Sequence, residues 1–225
     1  DVTIDLSAEV RRSYIVEVEL RDADNQQIML KRRTLGHNDW FVGFSNSDCN
    51  LSEVHPWSHD NPYLYTLIVR LRNENDSILE CIGGKIGFRT IHFRKGLLCI
   101  NGEPLTIKGV NRHEHSGLTG HYVTREEMET DLRMMQQLGI NAVRTSHYPN
   151  DEYWYQLCDE AGIYIWDEAN VESHAQGYGA GSLAKNDDWS EPILYRINNM
   201  YRRDRNHASV IAWSLGNECG NGICM

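Results

Sequence analysis

The stretch Leu105-Thr106-Ile107-Lys108-Gly109-Val110-Asn111-Arg112-His113-Glu114-His115 (LTIKGVNRHEH, residues 105–115) decides the fold. Leu105 to Val110 reads as a β-strand, and the turn after it is polar and rich in histidine. Further on, Thr124 and Glu127 form a capping box before a helix whose Met128, Leu132, Met135 and Leu138 share one face, closed by Gly139. Asn141 to Thr145 is the next strand, Asp151 to Ala161 a helix burying Trp154, Leu157 and Cys158, and Gly162 its stop. Ile163 to Asp167 is a third strand, Ser190 caps a helix with Ile193, Ile197 and Met200 inward, and Val210 to Ser214 is a fourth strand. This order, β-α-β-α-β-α-β, requires a parallel sheet, because parallel neighbours need a crossover. An open nucleotide-binding sheet would carry a glycine-rich turn after its first strand, and Asn111 to His115 is not one. The expectation is therefore an α/β fold over residues 91–225, a (β/α)8 TIM barrel truncated after its fourth strand.

Residues 1–90 follow a different period. Tyr14, Val16, Val18 and Leu20 alternate with Glu17 and Glu19, and Tyr63 to Leu71 is rich in β-branched and aromatic residues. Turn signals separate these runs at Asp22-Ala23-Asp24-Asn25, Gly36-His37-Asn38-Asp39 and Asn73-Glu74-Asn75-Asp76. Short strands at this spacing predict an immunoglobulin-like β-sandwich.

The 225 residues suffice for two domains, and 40% hydrophobic with 24% charged residues is ordinary globular composition. A formal charge of −10 argues against a nucleic-acid partner, which needs clustered Lys and Arg. The longest basic run, Lys31-Arg32-Arg33, reads as a solvated strand face. No apolar run has the length of a membrane span and no apolar leader follows the first residue, so a soluble, cytoplasmic protein is expected. Cys49, Cys81, Cys99, Cys158, Cys219 and Cys224 lack any C-x-x-C pair and read as free thiols in a reducing compartment. A first residue of Asp1 rather than Met reads as a fragment.

Each barrel strand is followed by a polar cluster: Asn111 to His115, Ser146-His147-Tyr148-Pro149-Asn150, Glu168 to His174, and Gly216-Asn217-Glu218. Residues at the carboxyl ends of parallel barrel strands converge on one mouth, where active sites form. Glu172 and His174, two apart in an extended loop, can offer an oxygen and a nitrogen to one cation. With Glu218 opposite, that donor mix suits magnesium or manganese better than zinc; the alternative from spacing alone is a hydrogen-bonded loop.

At these motifs the chain resembles the β-galactosidases of glycoside hydrolase family 2. The resemblance is carried by Gly87-Phe88-Arg89, Gly109 to His115, Asn141 to Asn150, Asp167 to Asn170 with Glu172 and His174, Arg203-Asp204-Arg205-Asn206-His207, and Trp213 to Glu218. It is weaker in the sandwich and specific from Gly87 onward. RHEH and the E-x-H loop favour the galactosidase branch over the glucuronidase and mannosidase relatives.

The resemblance implies retaining hydrolysis of terminal β-D-galactose from β-galactosides such as lactose, with Glu218 as acid/base. Its nucleophilic carboxylate is implied to lie on a later strand outside this chain. It implies magnesium on Glu172, His174 and Glu218, with manganese as a substitute, and a sodium ion whose ligands lie outside the chain. Asn217 is implied to bond the sugar 2-hydroxyl, His113 and His147 to contact the sugar, and Arg144 to support the nucleophile from beneath. It further implies dependence on the remainder of a longer chain, homo-oligomerisation at full length, and no activity of this piece alone.

Three departures stand out: Ala208 where relatives carry proline, Cys219 after the acid/base, and the loop Ala175-Gln176-Gly177-Tyr178-Gly179. None removes a catalytic group. Two other readings compete: a metal-dependent amidohydrolase, whose barrel opens on an H-x-H pair such as His113 and His115, and a structural fragment with no catalysis of its own.

Overall fold

The computed structural model describes residues 2–6, 13–37, 39, 41–45 and 54–224; Asn38 and Cys49 lie outside them. The chain forms two compact units, Asp1–Pro56 with Tyr63–Phe88 and Trp57–Pro62 with Arg89–Met225.

Among the described residues, the named strands of the first unit pair antiparallel. Strands β1 (Val2–Asp5), β2 (Tyr14–Arg21), β3 (Gln27–Leu35), β4 (Phe41–Phe44), β5 (Tyr65–Arg72) and β6 (Ile78–Ile86) form a four-stranded sheet ordered β3-β2-β5-β6 and a two-stranded sheet, β1-β4. Val16, Val18 and Leu20 face a core completed by Leu35, Phe44 and Tyr65, as the period-two pattern requires. This is an immunoglobulin-like sandwich. The intervening Glu17 and Glu19 are also only 2% exposed, because arginines cover them. Glu17 stands opposite Arg32 on one ladder and Arg70 on the other, and accepts from Arg32 at 2.6 Å, Arg70 at 2.9 Å and Arg72 at 3.0 Å. Glu19 accepts from Arg21 and Arg70 at 2.5 and 2.6 Å. Burial alone would raise both carboxyl pKa values, but the arginine hydrogen bonds outweigh it and both end below the ordinary value. The basic run is therefore not simply solvated: Arg32 is paired to Glu17 and Asp76.

In the second unit a small antiparallel sheet, β7 (Ile91–Arg94), β8 (Leu97–Ile100) and β9 (Glu103–Pro104), precedes four parallel strands. These are β10 (Gly109–Arg112), β11 (Ala142–Thr145), β12 (Tyr164–Glu168) and β13 (Val210–Ser214), adjacent in chain order. The crossovers contain α1 (Arg125–Gln137), α2 (Glu152–Ala161) and α3 (Ser190–Asp204). Met128, Leu132 and Met135 of α1 and Trp154, Leu157 and Cys158 of α2 pack on Val143, Ile163, Ile165 and Val210. The opposite face of the sheet lines a cavity of about 290 Å³ with Val110, Arg144, Trp166 and Ile211. This is a partial α/β TIM-barrel region. Among the described residues no disulfide joins Cys81, Cys99, Cys158, Cys219 or Cys224, and no helix is long and apolar enough to cross a membrane.

Both capping-box bonds at Thr124 and Glu127 form, and Gly139 and Gly162 take the left-handed backbone that ends α1 and α2. Three expectations shift. The first strand starts at Gly109 rather than Leu105, because the Asn141 side chain takes the Lys108 N–H and the Thr106 carbonyl out of the ladder. Leu138 is 73% exposed: it is the C-cap of α1, past the last turn that faces the core. Ser190 is the first residue of α3 and its hydroxyl donates to Asp187, so the cap position falls to Trp189, which makes no side-chain cap bond.

The excursion Trp57–Pro62 belongs to the second unit although its chain neighbours belong to the first. Trp57 is fully buried and donates to the Asp159 carbonyl at 2.8 Å; His59 Nδ1 contacts the Gly162 carbonyl at 2.7 Å. Gly162 is required there twice over, by φ of 73° and because a Cβ would lie 2.5 Å from the His59 carbonyl oxygen.

Candidate active site

Strand alternation sorts the side chains of the sheet. Val143, Thr145, Ile165 and Asp167 face the helices, whereas Arg144, Trp166, Glu168 and Ser214 face the other side. At the carboxyl ends of β11, β12 and β13 this brings Arg144, Glu168 and Ser214 together around one carboxylate. Glu168 is fully buried and saturated. It accepts from Arg144 through two nitrogens at 2.7 and 2.9 Å, from Ser214 at 2.7 Å and from His147 Nδ1 at 2.7 Å. Its own N–H donates to the Thr145 hydroxyl at 2.9 Å.

Two candidate residues are oriented by this carboxylate. A carboxylate accepts, so His147 Nδ1 carries the proton and Nε2 faces away from Glu168. Arg144 also donates to Asn217 Oδ1 at 2.9 Å, which leaves the Asn217 amide NH2 as a donor. The ring of His113 stands edge-on to His147, centroids 5.1 Å apart.

The third and fourth loops are joined by backbone. Ala169 N–H donates to Ser214 O and Asn217 N–H to Val171 O, both at 2.9 Å, and Glu172 pairs with Asn217 as an isolated parallel bridge. Gly216 permits this closeness, since a Cβ there would lie 2.4 Å from the Val171 oxygen. Glu218 follows with φ of 45°, and its carboxylate touches His174 Nδ1. The strand thus ends by presenting a carboxylate, half exposed, at the rim beside the E-x-H loop.

The seven residues anticipated from sequence fall into two adjoining groups, Arg144, His147, Asn217 and His113 around Glu168, and Glu172, His174 and Glu218 beside them. Two oxygen donors and one imidazole are the chemistry a hard divalent cation takes, and two of the three already touch. Among the described residues, however, no three His, Cys, Asp or Glu side chains close on one point. His113 and His115 do not converge as an H-x-H metal pair would: the first faces His147, the second His121. In sequence Glu168 opens the third strand-end cluster without a role of its own; the signal that singles it out is its place as the last residue of a barrel strand, in the line of Arg144 and Ser214.

A behind-the-sheet network supports the site. Asp167, fully buried, accepts from Tyr155 at 2.6 Å and Thr145 at 3.1 Å. Burial, with nearby Asp204, pushes its carboxyl up to about 7.

The family model described as glycosyl hydrolases family 2, TIM barrel domain, matches residues 91–225, and that described as glycosyl hydrolases family 2 matches residues 1–89. The chain belongs to glycosyl hydrolase family 2. Among relatives, a β-galactosidase of Pseudoalteromonas haloplanktis is 47% identical over 166 residues, 74% of this chain and 16% of that protein. Those of Alteromonas mediterranea and Halalkalibacterium halodurans are 34% and 36% identical over 99% and 97% of this chain, each with 22% of its own length covered. The chain thus spans about a fifth of the length of these relatives. Among solved structures, a β-glucuronidase from Ruminococcus gnavus shares 28% identity, covers 92% of this chain and 33% of its own, and superposes with a TM-score of 0.77. A family 2 member from Bacteroides cellulosilyticus gives 28% and 0.75, covering 96% of this chain and 28% of its own.

Proposed function

We propose that this chain is part of a retaining β-galactosidase and supplies its acid/base residue and sugar contacts. The observation that carries the reading is the delivery of Glu218 beside a saturated Arg144–Glu168–His147–Asn217 network at one set of parallel strand ends. The family membership supports glycoside hydrolysis, and the names of the relatives support galactose.

In this reading Glu218 protonates the glycosidic oxygen and later deprotonates the attacking water. A second carboxylate, about 5 to 5.5 Å away in a retaining enzyme, forms the covalent glycosyl intermediate; we place it on a further strand that completes the barrel in the parent protein. The Asn217 amide donates to the sugar 2-hydroxyl, a bond that strengthens in the transition state. His147 Nε2, oriented through Nδ1, and His113 contact other hydroxyls. Arg144 holds both Asn217 and Glu168 and lies beneath the site of the nucleophile.

We also propose magnesium at Glu172, His174 and Glu218. When bound, such an ion supplies local positive charge and fixes the carboxylates it touches. Magnesium binding to the parent enzyme, followed by calorimetry, should weaken in Glu172→Gln, and its removal should lower kcat more than it raises KM. Equal losses in kcat and affinity, or unchanged binding, would refute this.

Glu218→Gln in the parent enzyme tests the acid role. Hydrolysis of galactosides with poor leaving groups should fall far more than that of activated aryl galactosides, which need little protonation. Equal slowing removes the role. Faster turnover of aryl glucuronides than galactosides would move the substrate to the sugar named for the similar solved structures.

A further inference from the structure

The loop after β10 carries a feature that glycoside cleavage does not use. Ser116 and Gly120 exchange both backbone hydrogen bonds, Ser116 N–H to Gly120 O at 2.7 Å and Gly120 N–H to Ser116 O at 3.1 Å, closing a small hairpin. The hairpin is internally locked. The buried Ser116 hydroxyl accepts from Leu118 and Thr119, and Thr119 donates to the Tyr122 carbonyl. The pair next to 116 and 120, towards the open end, is His115 and His121. In an antiparallel ladder the pair flanking a hydrogen-bonded one lacks mutual hydrogen bonds and brings its side chains closest. Both rings are exposed, and their centroids lie 5.9 Å apart at 73°.

The protonation pattern is set by a neighbour. His121 Nδ1 contacts the Glu114 carbonyl at 3.0 Å. A carbonyl only accepts, so Nδ1 bears the proton and the lone pair sits on Nε2. A histidine whose other nitrogen donates to a backbone carbonyl is in the form that metal-binding histidines take. The Glu114 backbone is itself held by the Tyr148 hydroxyl, so the orienting carbonyl is fixed from β11's loop as well. With metal–nitrogen bonds of about 2.0 to 2.1 Å, two imidazoles on one ion put their centroids roughly 4.5 Å apart at a right angle and roughly 5.2 Å apart at the tetrahedral angle, so from 5.9 Å the two exposed rings close by about 1 Å.

We propose that His115 and His121 form a two-imidazole clamp for a borderline transition-metal ion, Cu2+ most tightly, then Ni2+ or Zn2+, with water completing the coordination. Two neutral nitrogens select these ions over magnesium, and their order follows the general affinity series for nitrogen ligands. The clamp is distinct from the rim of Glu172, His174 and Glu218, whose donors are mostly oxygen. His113 is not a member, because its ring faces His147 and Tyr148.

The test uses the full-length parent protein with magnesium in excess. Calorimetric titration with Cu2+ should give one equivalent fewer in His115→Gln and in His121→Gln than in the unaltered protein, while His92→Gln, an exposed histidine elsewhere, should leave the number unchanged. In electron paramagnetic resonance the lost equivalent should be the one coupled to two imidazole nitrogens. Unchanged stoichiometry in both variants overturns the proposal. A second measurement needs no variant: Ni2+ should protect His115 and His121, but not His92, from diethylpyrocarbonate at least tenfold, read by peptide mass spectrometry. Equal labelling with and without Ni2+ overturns it as well.

Discussion

Glu168 holds no direct place in the proposed chemistry, yet it sets the orientation of two residues that do. Replacing it by Gln keeps the volume but removes the charge that pairs with Arg144, and it puts an amide NH2 where Arg144, Ser214 or His147 now donates. Misplacing catalytic groups by about 1 Å can cost on the order of 10²-fold. Glu168→Gln in the parent enzyme should therefore lower kcat by about that factor, with a smaller change in KM. A loss confined to KM, or a fall explained by reduced folded protein in circular dichroism, would reduce Glu168 to a structural role. The residues around it were legible in the sequence to different degrees. Glu218, His174 and Asn217 sit in loops after strands, where an exposed polar cluster has few structural reasons to exist. Glu168 ends the strand itself, which marks it as a candidate, and the register that sets Arg144 beside Trp166 and Ser214 beside Glu168 supplies the partners that share its face.

The elements of the second unit were legible because their signals are local. A capping box, two stop glycines and apolar spacing fix α1 and α2 within a few residues. The departure is non-local: the late start of β10 depends on Asn141, more than thirty residues onward. The same distinction governs β12. Its Asp167 faces α2 and lies against Tyr155 and Thr145, with Asp204 of α3 nearby and Arg203 bonded to Asp204. Its carboxyl is pushed up to about 7 in the fold against an ordinary 3.8. A folded-state pKa above the unfolded one contributes stability that is complete below the unfolded value and is lost as pH rises through the folded value. The β12 layer should thus lose stability between about pH 4 and 7. Hydrogen exchange of the β12 amides should show this trend, and Asp167→Asn should flatten it. A variant with the same slope would assign the trend to another group.

At the scale of the whole chain the two units should respond to acid in opposite senses. In the sandwich, Glu17 and Glu19 have lowered pKa values, so their contribution is present above the ordinary value of 4.5 and disappears as pH falls through the folded values. Acidification from 7 towards 5 should tighten the layer around Asp167 while leaving the sandwich unchanged; below about 4.5, the sandwich should open first. Exchange mapped along the parent protein at several pH values checks the order, and loss of both units in parallel would contradict it. The path of the chain adds an engineering constraint. Trp57 to Pro62 leaves the sequence of one unit to complete the other, supplying an indole N–H to Asp159 and a histidine to Gly162. A domain boundary drawn at Arg89 would therefore cut away a plug encoded some thirty residues upstream. A recombinant barrel beginning there would carry an empty socket at the end of α2, and circular permutants or chimaeras of this architecture need that hexapeptide grafted back before their stability can be compared.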